Sequence, residues 1–296
     1  MTAEPSVIVQ SSRAGTIRPQ RKGLLADGRA TFGILVISLI VLAATFAPLV
    51  SAGISDIQPD VVATRFHPPF TRDPSGAFHL LGTDRFGRDV WTRLAYGGRV
   101  SLAVGVLGMA ISVIIGLFVG AIAGVWQKKA GAALMGLTDF ALALPRVVLL
   151  LLLTALWPPS ATLVILVLGL TGWMSIARLV YGEARGLVAR QFVESAYALG
   201  ADRWRVLLRH VVPNALTPVI AAASLGIGNT IMLEAGLSFL GLGVQPPTPS
   251  WGNMIASGRD TLVNAPWVAA APGVSLVLVV VAFTLLGDAL RDRLEH

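Results

Sequence analysis

Six long apolar runs restrict what this chain can become, near 31–51, 100–125, 131–157, 160–180, 216–243 and 266–288. Each reaches the about 20 residues that a helix needs to cross a bilayer. An open strand in lipid would leave its N–H and C=O groups unpaired, so every run is expected to be helical. The chain therefore reads as an all-α membrane protein with six transmembrane helices. Composition agrees, since 54% of the residues are hydrophobic and 13% charged, well outside the usual balance of a soluble domain.

The net charge of +7 points first to nucleic acid, but the basic residues gather at the ends of the apolar runs. Membrane orientation and contact with membrane lipid explain that pattern better than a nucleic-acid face. With the N-terminal tail 1–30 inside, the cytoplasm receives Arg13, Arg18, Arg21, Lys22 and Arg29, then Lys128 and Lys129, the Arg178 to Arg209 cluster, and Arg291 with Arg293. Both termini are then cytoplasmic. The segment 52–99 falls outside; it is long, which exempts it from the charge rule, and Asp56, Asp60, Asp73, Asp84 and Asp89 offset its basic residues. The first apolar run is too long for a cleaved signal peptide and reads as an uncleaved anchor.

Several chemistries lack their residues. With no cysteine there is no disulfide framework and no thiolate nucleophile or ligand. His67, His79, His210 and His296 show no metal-ligand spacing and read as solvated or packing residues. The lysines Lys22, Lys128 and Lys129 stand in no G-x-x-x-x-G-K-[ST] loop, so no phosphate cradle of that kind is available for ATP hydrolysis. No Ser-His-Asp or zinc constellation supports an intramembrane enzyme.

Among the apolar runs lies one polar stretch, 183–214. It reads as two short helices: Gly200 can take the left-handed conformation that ends the first, and Asp202 can cap the second. Pro213 is expected to close the second helix. Val188, Phe192 and Ala196 recur at i, i+4 and i+8 in the first, with Glu194 pointing away. In the second, Trp204, Leu207, Leu208, Val211 and Val212 form a face opposed to Arg205 and Arg209. By periodicity alone the segment is also consistent with amphipathic helices on a membrane surface. The spacing Glu194-Ser-Ala196-(three residues)-Gly200, followed by Arg209-His-Val-Val-Pro213, resembles the EAA loop of ATP-binding-cassette (ABC) importer permeases. One departure is Ser195, a small residue standing where the first alanine of that name usually stands.

A second dense pattern lies in the outer segment. Thr83 or Asp84 is expected to cap a short helix carrying Val90, Trp91, Leu94 and Ala95, ended by Gly97 and Gly98 and lying on the membrane as a lid. Gly82, Thr83, Asp84, Gly87, Arg88 and Asp89 are similar to the G-T-D-x-x-G-R-D signature of the dipeptide, oligopeptide and nickel branch of those permeases. The run from Glu234 to Gly252 resembles the same branch.

Two seams mark the spans. Ser112, Gly116, Gly120 and Gly124 present small residues every four positions, a close-packing face. Ala222, Gly226, Thr230, Glu234 and Ser238 repeat the spacing, but the seam turns polar. A carboxylate at membrane depth should face protein, water or a partner, either as a structural acceptor or in a pathway or gate. Asp139 and Arg146, seven residues apart with Pro145 between them as a kink, share one face and are expected to bridge or to pair with other helices. Structural pairing comes before substrate contact for both. Asp139 matches an acidic position of the family, and Arg146 is not carried over.

The resemblance covers most of residues 79–290 and implies the type I ABC importer permease fold in a bacterial plasma membrane. It further implies a paralogous permease subunit, two cytoplasmic ATPase subunits or domains that bind ATP and Mg, and an extracytoplasmic substrate-binding protein. No cofactor is expected in this chain. Implied coupling residues are Glu194, Ala196, Leu199, Gly200, Ala201, Asp202, Arg203 and Pro213. Asp139, Arg146, Thr230, Glu234 and Ser238 are pathway or gate candidates. The competing reading is an ion-coupled secondary transporter using Asp139, Arg146 and Glu234 as a relay, although no internal repeat accompanies it.

Overall fold

A computed structural model of the chain describes residues 27–50, 60–74 and 76–294. Arg13, Arg18, Arg21, Lys22, Asp56 and His296 lie outside the described residues. Helices α1 (Gly28–Val50) and α2 (Val61–Thr64) are followed by a small antiparallel ribbon, β1 (Thr71–Arg72) and β2 (Phe78–His79). Then come α3 (Val90–Val125), α4 (Lys129–Ala143), α5 (Arg146–Ala155), α6 (Ala161–Val188), α7 (Gln191–Ala198) and α8 (Arg203–Val206). A π turn, Leu207–Val211, leads into α9 (Val212–Phe239), and α10 (Trp251–Arg259) and α11 (Trp267–Leu294) complete the chain.

Among the described residues five helical stretches are long and apolar enough to cross a membrane, and the pair α4 and α5 makes a sixth if counted as one span. That pair is bent by 82° where Leu144 and Pro145 interrupt the ladder, far beyond a simple kink. The bend also removes the shared face expected of Asp139 and Arg146, which stand on separate helices.

α3 is the central element and packs against α6, α9 and α1. Its 36 residues extend over about 54 Å, more than the about 30 Å of bilayer hydrocarbon. The separate short helix expected before Gly97 does not exist: Asp89, not Thr83 or Asp84, caps the long helix by accepting from Thr92 N at 2.7 Å. Gly97 and Gly98 sit inside it, where the absence of side chains lets Trp251 lie against the backbone; a Cβ on Gly98 would stand 3.1 Å from that ring. The Gly116 seam faces α6, and a Cβ there would stand 2.6 Å from both Ile176 Cβ and the Trp173 carbonyl oxygen. The second seam places Gly226 against Met109 and Thr230 against Gly108, so it too faces α3.

Candidate functional site

The polar stretch after α6 folds as two helices joined at Gly200, whose φ of +85° is the left-handed conformation that glycine adopts at least cost. The Ala201 N–H donates to the Ala196 carbonyl at 2.9 Å and the Gly200 N–H to that of Tyr197 at 3.0 Å, closing α7 in a Schellman motif. Ala196 and Ala201 are thus the two ends of the closing bond that spans more residues. Asp202 caps α8 by accepting from Arg205 N at 3.0 Å, and Arg203 and Glu194 face solvent.

The buried faces differ from the periodic reading. α6 ends at Val188, so Val188, Phe192 and Ala196 do not share a helix; α7 buries Val193 completely while Phe192 is 44% exposed. In the second helix Val206, Leu207 and Val211 are buried, whereas Trp204 and Leu208 are 55% and 56% exposed. The cause is the π turn, which adds one residue to the helical circuit and shifts the side chains around the axis. The same turn lets helix run on past Pro213 into α9. There the proline occupies the first turn, where its missing N–H costs little, and it does not close the helix as expected.

The segment is anchored from below. Val193, Val206, Leu207 and Val211 belong to one core cluster with Leu117, Ala121 and Val125 of α3 and Val180 and Ala184 of α6. Trp204 also meets Trp126, just past the end of α3, edge to face at 4.9 Å between ring centroids. At the tip Leu199 is 89% exposed beside Gly200. The base of the segment is thus packed into the same core as α3, α6 and α9, with Leu199 standing at its tip.

Of the pathway candidates, Glu234 and Ser238 are hydrogen-bonded to each other, whereas Asp139 and Arg146 pair elsewhere. Asp139 pairs with Arg178 of α6 at 2.8 Å, and both side chains are about half exposed. Arg146 reaches the Leu168 carbonyl at 3.5 Å. Glu234 is fully buried and accepts from Ser101 Oγ at 2.9 Å and Ser238 Oγ at 2.7 Å. Those hydroxyls accept in turn from Trp251 N and Val244 N, so the carboxylate ties α3, α9, the following loop and the start of α10. Thr230 donates to the Gly226 carbonyl within its own helix.

At the other end of α3 the loop 79–89 turns at Gly82 and Gly87 and buries His79, Thr83, Asp84 and Arg88. Thr83 accepts from His67 N and donates to the Thr64 carbonyl. Asp84 Oδ2 accepts from Arg88 Nε at 2.8 Å and is ion-paired with Arg88 Nη2 at 2.7 Å, while Oδ1 accepts from the N–H groups of Phe86 and Arg88. His79, read from sequence as a solvated or packing residue, lies buried between Asp89 at 2.9 Å and Asp73 at 3.4 Å. Its spacing to Asp89 in sequence carries no motif, and only the ribbon turns it back to the helix cap.

A model of the family described as the binding-protein-dependent transport system inner membrane component matches residues 116–296. The chain belongs to this family. It is similar to the dipeptide transport system permease protein DppC of Alkalihalophilus pseudofirmus, with 34% identity over 299 residues covering 100% of this chain and 95% of the relative. It also resembles the di/tripeptide transport system permease protein DppC of Pseudomonas aeruginosa, 38% identical over 264 residues that cover 89% and 86% of the two chains. A solved chain of the MetNI methionine ABC transporter, described in inward-facing conformations, matches with a TM-score of 0.53 and 21% identity, over 68% of this chain and 95% of that one. That likeness gives the fold, a type I importer permease. The protein is a multi-pass membrane subunit of an ABC importer.

Proposed function

We propose that this permease subunit carries small peptides and is driven by ATPase subunits that grip the segment 183–214. The observation that carries the coupling reading is Leu199, a large apolar side chain left 89% exposed on a glycine-closed turn whose base is buried in the core. An exposed apolar tip on a rigid base fits a cleft on a partner. When the ATPases close, the turn transmits their motion to α3, α6 and α9 as a two-state mechanical linkage. Glu194, Ala196, Leu199, Gly200, Ala201, Asp202 and Arg203 form or support this grip, and Pro213 leads its second helix into α9. The peptide cargo is supported by what the relatives are named for.

ATP and Mg would be bound by the ATPase partners, cargo would arrive from an extracytoplasmic binding protein, and the pathway would run beside a paralogous permease subunit. Charge placement supports an orientation with 183–214 and both termini in the cytoplasm. Asp139 and Glu234 each hold their own structural partners, so they stabilise the bundle rather than form an ion relay.

The test is Gly200→Trp in the assembled complex. Open space surrounds Gly200, so the expected outcome is an intact assembly with uptake and substrate-stimulated ATPase activity abolished in proteoliposomes. Normal uptake by that variant would remove the turn from the mechanism.

A further inference from the structure

A cavity of about 420 Å³ opens between the loop 79–89 and the connection from α9 to α10. Its walls include Arg85, Phe86, Arg88, Arg93, Pro247 and Ser257. The volume lies in the range of small-ligand sites, roughly 300–1,000 Å³. Its distinctive feature is how the arginines are held. The Arg85 and Arg88 guanidiniums lie 4.7 and 4.5 Å from the centroid of the same Phe86 ring, so a single aromatic side chain orients both cations.

The local carboxylate, Asp84, is already committed to Arg88, to Arg93 at 3.8 Å and to two backbone N–H groups. Among the described residues Arg85 has no carboxylate partner. A planar guanidinium fork presents paired N–H donors that match the two oxygens of a carboxylate. Because the Arg88 side chain is locked by Asp84, little freedom remains to be lost when the anion arrives.

We infer that this cavity binds the free carboxylate of a small solute, with Arg85 as its principal donor and Arg88 and Phe86 as the preset frame. That the solute is a short peptide, presenting its C-terminal carboxylate, rests on the function proposed above.

The test is calorimetric titration of the full-length chain in lipid nanodiscs with dialanine, dialanine amide and inorganic phosphate. Dialanine is expected to bind, its amide at least tenfold more weakly, and phosphate is expected not to displace it. Arg85 is exposed, so Arg85→Ala should keep its melting temperature yet lose dialanine affinity at least tenfold, with Arg85→Lys between the two. No binding of dialanine, equal binding of the amide, displacement by phosphate or an unchanged Arg85→Ala would each overturn the assignment. Uptake of labelled dialanine by the assembled complex separates the two claims. Uptake with carboxylate-independent binding sinks the cavity assignment alone, whereas carboxylate-dependent binding without uptake sinks the peptide reading and leaves the cavity a carboxylate site.

Discussion

At the start of α3 the loop 79–89 buries Thr83, Asp84 and Arg88, while past its far end the segment 191–211 leaves Leu199, Trp204, Leu208 and Phe192 substantially exposed. Each is the reverse of what residue type alone prescribes. The buried charges are tolerable because Asp84 accepts three hydrogen bonds, one of them from Arg88 Nε, and is ion-paired with the same guanidinium. The exposed apolar residues lie on a turn whose base is sealed into the core and whose tip, Leu199, is left bare among the described residues. The first loop satisfies its buried polar groups from within, whereas the second leaves large apolar side chains bare, which is what the proposed grip by a partner would cover.

That contrast can be broken by substitution, and the largest effect belongs to the self-satisfied loop. Asp84→Ala leaves buried guanidinium charge without its acceptor and should cost about 3–5 kcal/mol, read as a fall in thermal unfolding temperature or loss of monodisperse protein in detergent. An unchanged unfolding temperature would mean the loop is not held by this carboxylate. Glu234→Ala strips the acceptor from the Ser101 and Ser238 hydroxyls and should cost about 2–4 kcal/mol by the same measurement, with Glu234→Gln milder. At the other end of α3 the order of effects reverses. Gly200→Ala is strained by its positive φ and should lose about 1–2 kcal/mol, a modest change. Leu199→Ser should change stability by less than about 0.5 kcal/mol yet cut uptake severalfold in proteoliposomes, because the side chain is bare in the isolated chain. If Leu199→Ser unfolds the protein instead, the tip is packed after all and the contrast collapses.

The long helices were legible because a run of about 20 apolar residues has few other uses. The Gly200 turn and the Asp202 cap were legible for a similar reason, since glycine after a helical face and an acidic residue at the next start act through local backbone geometry. What sequence reasoning missed depends on contacts between distant elements. Gly97 and Gly98 look like helix terminators, yet they make room for Trp251, which α10 brings in from far along the chain. Pro213 looks like a stop, yet the π turn absorbs it. That same turn moved Trp204 and Leu208 out of the face that a 3.6-residue period assigns them. Pro145 reads as a kink in the sequence but marks a break of 82°, and Asp139 takes the second of its two expected arrangements, a pair with another helix, through Arg178.

The most direct test of the account is crosslinking from the exposed tip. Leu199→Cys, in a chain that has no native cysteine, should form a single crosslink to an ATP-hydrolysing subunit in membranes, with a yield that changes when nucleotide is added. No crosslink to such a subunit in any nucleotide state, while Leu199→Cys still transports, would contradict the proposal that this turn is where the engine takes hold.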